Sequence, residues 1–325
     1  MEIVLHIGPH KTGTTSIQKF LRKRGQKAKK GIFYPPAPDE NGPGHALLAW
    51  KTLGIKEDMP PIASLDEVVS QAAIKGIQKL IFSAEDFSIA FFVGMDRLVE
   101  SLGKHKIHLV CTYTPVVRRV LSIWQEEVKH GACYPLNDIP NFTSNSPTLQ
   151  PTLARKFMEA LKPHKVSLIL AYSRDPLALL TVFSEVIGLN AAPNPAIAPS
   201  NVSLGTVEAE TLRALNVLSH RHGVDPESAK ELRLQLLRLF LSDAWKQHSQ
   251  KIPLGVPDAA VASFVERLTG EFDREFDRLR QDPRVSIYDT RLAQPSLKVQ
   301  EPASRKRRMT GSLRRLVQMP QWSSR

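Results

Sequence analysis

Ile3-Val4-Leu5-His6-Ile7-Gly8-Pro9-His10-Lys11-Thr12-Gly13-Thr14-Thr15-Ser16 stands at the start of the chain. An apolar run ends at Gly8, four residues intervene before Gly13, and Thr14-Thr15 leads into a helical pattern. Strand, tight turn and helix N-terminus in that order form a cradle whose backbone N–H groups face phosphate. The glycine spacing is that of a Walker A loop, yet Thr14 stands after the second glycine, where that loop carries lysine. The lysine of this loop, Lys11, comes three residues earlier. In a nucleotide-hydrolysing loop the lysine reaches the β- and γ-phosphates, and a Ser or Thr hydroxyl holds Mg²⁺. A lysine at the apex lies instead over the first bridging oxygen of a 5′-phosphoryl group. That suits a donor with one phosphate and one transferable group on its 5′ side. Gly8 and Gly13 also serve ordinary turn geometry, but Lys11-Thr12-Gly13-Thr14-Thr15 sets five phosphate-friendly residues in succession behind a strand.

Outward from this loop, strands and helices alternate. Strands are predicted at 3–7, 31–34, 80–83, 107–113 and 166–172. Helices are predicted at 14–24, from Ser64 to about 77, at 94–103, from Pro115 to Lys129 and at 176–187. Ser64 with Glu67 forms a capping box, and Pro115 suits a helix start. Residues 205–282 read as helical, with patterned segments at 206–221, 226–248 and 257–280. The expected fold class is α/β: a P-loop-type central parallel sheet of about five strands flanked by helices, with a helical C-terminal part.

With 325 residues and 42% hydrophobic composition, the chain can bury a full-sized core, expected as one α/β domain over 1–292. No run of about eighteen apolar residues suggests a membrane span, and the first residues enter a strand rather than a signal peptide. Cys111 and Cys133 have no metal-ligand spacing, so a reducing cytoplasm is the expected compartment. The net charge of +12 divides unevenly: residues 293–325 carry eight Lys/Arg against one acid, a net +7. This tail has no sustained apolar period and is expected to be disordered or loosely helical. It serves solubility or contact with an anionic surface. A second basic group, Lys19, Arg22, Lys23, Arg24, Lys27, Lys29 and Lys30, follows the loop and complements a helix C-terminus.

The stretch His6 to Gln18 resembles the 5′-phosphosulfate loop of sulfotransferases that use 3′-phosphoadenosine-5′-phosphosulfate (PAPS), bacterial members above all. The resemblance implies that Gly8, Pro9, His10, Lys11, Thr12, Gly13, Thr14, Thr15 and Ser16 bind this donor. It also gives Lys11 the catalytic task of neutralising charge on the departing bridging oxygen. In cytosolic members the strand equivalent to 80–83 ends in a histidine base, and several carbohydrate sulfotransferases use glutamate. Here Ser83-Ala84-Glu85-Asp86-Phe87 follows, so Glu85 is the expected general base. Asp86 is read as structural. Gly42-Pro43-Gly44-His45 brings His45 to a helix start, as an acceptor contact or alternative base.

In the segment Thr112 to Trp124, the family pairs an arginine at the strand end with a serine eight residues later to hold the 3′-phosphate. Ser122 matches the serine, but Thr114 stands at the arginine's position. Loss of that contact costs on the order of 1.5–3 kcal/mol unless replaced, and Arg118 or Arg119, one turn before Ser122, can replace it. Fainter matches are Ala171-Tyr172-Ser173-Arg174-Asp175 and Asn201-Val202-Ser203-Leu204; the arginine expected beside the latter is missing, with Arg174 a possible substitute. The implied reaction is sulfuryl transfer without a metal to a hydroxyl or amine acceptor, a small molecule or a glycan. A P-loop kinase using ATP and Mg²⁺, and a non-catalytic nucleotide- or anion-binding descendant, stand as alternatives.

Overall fold

The computed structural model describes residues 1–9, 11–25, 31–36, 44–56, 59, 61–142, 146–173, 175–189, 204–242, 244–245 and 259–292. The expectations for His10, Arg174, Asn201-Val202-Ser203 and the tail 293–325 lie outside these residues.

Six strands form one all-parallel sheet: β1 (Glu2–His6), β2 (Ile32–Phe33), β3 (Lys79–Ser83), β4 (Lys106–Tyr113), β5 (Lys165–Leu170) and β6 (Val285–Asp289). Their order across the sheet is β2-β3-β1-β4-β5-β6. The α/β fold with a central parallel sheet is as expected; β6, which adds to the outer side of β5, is the one strand the sequence reading did not place. Its residues are all half-buried, as an edge strand requires, so they lack the continuous apolar signature of the inner strands. From β2 to β5 the observed strands overlap the predicted ones, with ends displaced by one or two residues.

The helices are α1 (Thr14–Gly25), α2 (Ala46–Leu53), α3 (Leu65–Ile74), α4 (Met95–Leu102), α5 (Val116–Lys129), α6 (Ile139–Phe142) and α7 (Leu153–Leu161). They continue with α8 (Pro176–Val186), α9 (Thr206–Arg221), α10 (Pro226–Leu241) and α11 (Ala259–Leu279). Ser64 caps α3 as expected: its side chain accepts from the Glu67 N–H while the Glu67 carboxylate accepts from the Ser64 N–H. The second C-terminal helix, expected over 226–248, runs to Leu241, residues 244–245 are helical again, and 243 and 246–248 lie outside the described residues; α6 and α7 are additional helices.

Alternate strand residues divide the core into two layers. On one face Val4, Ile81, Val110 and Ile169 meet Ile17, Phe20 and Leu21 of α1 and Leu180 and Phe183 of α8. On the other, Ile3, Leu5, Phe82, Leu109 and Leu168 join apolar residues of α2, α3, α4, α5, α7 and α11. The chain leaves β1 toward the β2 edge and leaves β4 toward the β5 edge. Connections that diverge in this way open a crevice beyond the strands' carboxyl ends. Gly8, Pro9 and the residues from Lys11 to Gly13 follow β1 there.

Candidate functional site

The last backbone tie of β1 to the sheet is Ile7, whose N–H donates to Val110 O. Gly8 then passes so close to its neighbours that an added Cβ would lie 2.1 Å from Thr112 Oγ1 and 2.5 Å from Thr14 Cγ2. Only glycine fits. The turn is made with left-handed backbone at Lys11 (φ 69°) and Gly13 (φ 88°). α1 begins when the N–H groups of Ser16 and Ile17 close on Gly13 O. Among the described residues no backbone carbonyl takes the N–H of Thr12, Gly13 or Thr15. These donors stand at the positive end of a helix with no acid in its first turn.

The loop and the expected base meet. The Thr14 hydroxyl donates to a Glu85 carboxylate oxygen, and Glu85 precedes the short 3₁₀ turn Asp86–Phe91 beyond β3. Asp86 has the structural role expected of it, accepting from Trp50 Nε1 at 2.7 Å.

Lys11 reaches in the other direction, toward α5. Its ammonium stands 2.8 Å from Glu126 Oε2, and its carbonyl accepts from the Thr114 hydroxyl at 3.4 Å. Burial raises the Glu126 carboxyl. The hydrogen bond and charge of Lys11, with the charges of Lys129 and His130, outweigh it and bring the group down to about 2. Arg118, Ser122 and Glu126 recur every four residues and so share one face of α5. That face carries the Lys11 contact, and Arg118 and Ser122 are half-buried on it. Glu126 escaped the sequence reading; its only signal was the same four-residue step beyond Ser122.

Two expectations are corrected. His45 is not exposed at a helix start: it is fully buried, its Nδ1 accepting from the Ser83 N–H and its Nε2 donating to Pro35 O, each at 3.1 Å. Burial depresses this imidazole to about 4, and the rings of Tyr34 and Phe82 pack against it. With both nitrogens committed to backbone, His45 clamps the end of β3. Arg119 is 1% exposed, with its guanidinium carbon 4.0 Å from the Phe272 ring centroid of α11. It belongs to the buried stripe of α5 with Val116, Val120 and Ile123, where stem and planar head stack on aromatic surface. Burial lowers it to about 10. Of the two arginines, Arg119 lies in the core, while Arg118 is half-buried on the α5 face that carries Ser122 and Glu126. Thr12, finally, turns its hydroxyl inward, donating to Pro9 O at 2.7 Å and standing 2.9 Å from Thr112 Oγ1. Thr15 and Ser16 are half-buried.

Beneath the loop lie residues that sequence reasoning missed. His6 is fully buried, with Nδ1 2.8 Å from Ser83 Oγ and Nε2 3.4 Å from Thr112 Oγ1. Burial pushes its imidazole down to about 3 against the opposing influence of the Glu85 charge. Cys111 is buried and Cys133 partly so, both as free thiols. Among the described residues no helix is long and apolar enough to cross a membrane, and no group of three or more His, Cys, Asp or Glu is placed to hold a metal ion. No family model, no curated protein and no solved structure matches the chain.

Proposed function

We propose that this chain transfers a sulfuryl group from PAPS to a hydroxyl or amine acceptor, a small molecule or a glycan. The observation that carries the reading is the contact between Thr14, at the start of α1, and Glu85, beyond β3. It sets a carboxylate beside the loop that would hold the donor's 5′ side.

In this reading the N–H groups of Thr12, Gly13 and Thr15 and the hydroxyls of Thr15 and Ser16 take the 5′-phosphate. Lys11 exchanges Glu126 for the bridging oxygen and offsets the charge that grows there as the S–O bond breaks. The acceptor's oxygen or nitrogen forms the new bond to sulfur, and its proton passes to Glu85. Adenosine 3′,5′-bisphosphate leaves. Arg118 and Ser122 take the 3′-phosphate in place of the arginine that Thr114 replaces. Chemistry of this kind rests on positioning and charge stabilisation, as phosphoryl transfer does.

Calorimetric titration with adenosine 3′,5′-bisphosphate, set against ATP with Mg²⁺, tests the donor. The expected result is binding of the bisphosphate in preference to ATP. Preference for ATP would replace the reading with a kinase, and binding without turnover across an acceptor screen with labelled donor would reduce it to a nucleotide-binding protein. Lys11→Ala is the blank for that screen.

A further inference from the structure

The buried hydroxyls and imidazole under the loop form one chain of hydrogen bonds whose direction can be worked out. Thr12 Oγ1 donates to Pro9 O at 2.7 Å. Its single proton is thereby used, so Thr112 must donate to Thr12 across their 2.9 Å contact. The Thr112 proton is then used as well, and His6 Nε2 must carry the hydrogen that meets Thr112 Oγ1 at 3.4 Å. A neutral ring with Nε2–H leaves Nδ1 as acceptor, and Ser83 Oγ donates to it at 2.8 Å. All four side chains are fully buried. The run therefore goes one way, from Ser83 through His6, Thr112 and Thr12 to the carbonyl of Pro9. It joins the ends of β3, β1 and β4 to the loop.

Two further contacts tie this run to the proposed site. Ser83 is held from its other side by His45, through the backbone N–H, and Glu85 follows two residues later. Gly8 lies against Thr112 Oγ1 and His6 Nε2 so closely that no Cβ can enter.

We propose that His6 is the positioning residue of the anion loop: through Thr112 and Thr12 it holds Thr12 and the Pro9 carbonyl in their ligand-receiving places before any ligand binds, and through Ser83 it fixes them relative to Glu85. The part of this inference that concerns donor affinity rests on the reading of the loop as a phosphate cradle. The part that concerns loop order does not.

The test uses the full chain with Thr112→Val, which keeps shape but ends the run, and Thr112→Ser, which keeps the hydroxyl. In ligand-free protein, amide hydrogen exchange over residues 7–16 is expected to quicken about five- to tenfold in Thr112→Val, the effect of one lost buried hydrogen bond. It should stay near wild type in Thr112→Ser. Adenosine 3′,5′-bisphosphate affinity should fall by a similar factor in Thr112→Val alone. Long-range ¹H–¹⁵N spectra of the wild-type ring at pH 7 should show His6 as the neutral Nε2–H tautomer. An Nδ1–H tautomer, or equal exchange in Thr112→Val and wild type, overturns the proposal, as does a serine variant as impaired as the valine one. If Thr112→Val does not fold, the wild-type tautomer and the serine variant still decide. Failure of the wild type to bind the bisphosphate, with the exchange pattern as expected, removes the donor reading and leaves the positioning role standing.

Discussion

Replacing Glu126 with glutamine should tighten the binding of adenosine 3′,5′-bisphosphate. In the ligand-free protein Lys11 is held by Glu126 at 2.8 Å, and an anion entering the loop has to compete for that ammonium. The two side chains are 20% and 37% exposed, so water screens the pair and the large Coulomb energies of a dry interior do not apply. Exposed pairs of this kind are worth about 0.2–1 kcal/mol, which is a gain in affinity of about 1.4- to fivefold when the competition is removed. Glutamine keeps the size and the hydrogen-bonding reach of the side chain, so the change is one of charge.

The sign with pH follows from the carboxyl's position near 2. Glu126 is ionised throughout the range from pH 5 to 8, so the gain should be flat across it. The stability the pair contributes is fully present above the ordinary carboxylate pKa of about 4.3 and is lost as pH falls toward 2. Titration calorimetry at pH values from 5 to 8 checks the flat gain, and its repetition at low and at moderate salt checks the charge origin, because the gain should shrink as the Debye length shortens. Lys11→Ala should weaken binding by about tenfold or more, the value of a hydrogen bond to a charged group. In that background Glu126→Gln should do nothing. Unchanged or weaker binding in the single variant refutes the reasoning, and so does an equal gain with Lys11 absent.

Glu85→Gln should lower turnover by about 10²- to 10⁴-fold, the usual worth of a general base, with bisphosphate affinity within about threefold of wild type; an equal loss of both would make Glu85 structural. Arg118→Ala should weaken adenosine 3′,5′-bisphosphate by about tenfold or more but leave adenosine 5′-phosphate alone, whereas Arg119→Met should change neither affinity; calorimetry on the two nucleotides separates the cases. Unfolding stability in urea should fall between pH 6.5 and 4. Burial holds His6 to about 3 and His45 to about 4, and burial with the Lys165 charge holds His108 to about 3. Each stays neutral in the fold but takes up a proton on unfolding, costing about 1.4 kcal/mol per pH unit below the ordinary histidine value. Glu2 and Glu126, whose carboxyls are lowered in the fold, lose their contribution only at more acid pH and do not account for a fall in this window. A flat stability from pH 7 to 5 would contradict the buried neutral state of these rings.

The sheet was legible because its inner strands are buried on both sides and read as unbroken apolar runs, as at Leu80-Ile81-Phe82 and Ile107 to Cys111. The start of α3 was legible because Ser64 and Glu67 carry its cap locally. β6 was not, since a half-buried edge strand of five residues has no such run and follows a long helical tract. Within the site, the loop's glycines and the start of α1 could be placed from spacing alone. The directions of side chains could not. Arg118 and Arg119 differ by one residue, about 100° around α5. What assigns Arg119 to the core is Phe272 on α11, a partner remote in sequence.

The chain of hydroxyls under the loop is the sharper case. In the register of β1, His6 stands beside Ser83 of β3 and Val110 of β4. Thr112, two residues beyond Val110, falls on the same face. Given the strand order, three polar residues at the ends of three adjacent strands are therefore forced together, and the glycine that follows His6 leaves them room. Without the order they read as an isolated histidine, serine and threonine, each at home in a strand or turn. Local propensity carries no record of which strands are neighbours. A loop's supporting polar residues are for that reason harder to read than the loop itself, even when, as here, each stands within two residues of a segment already singled out.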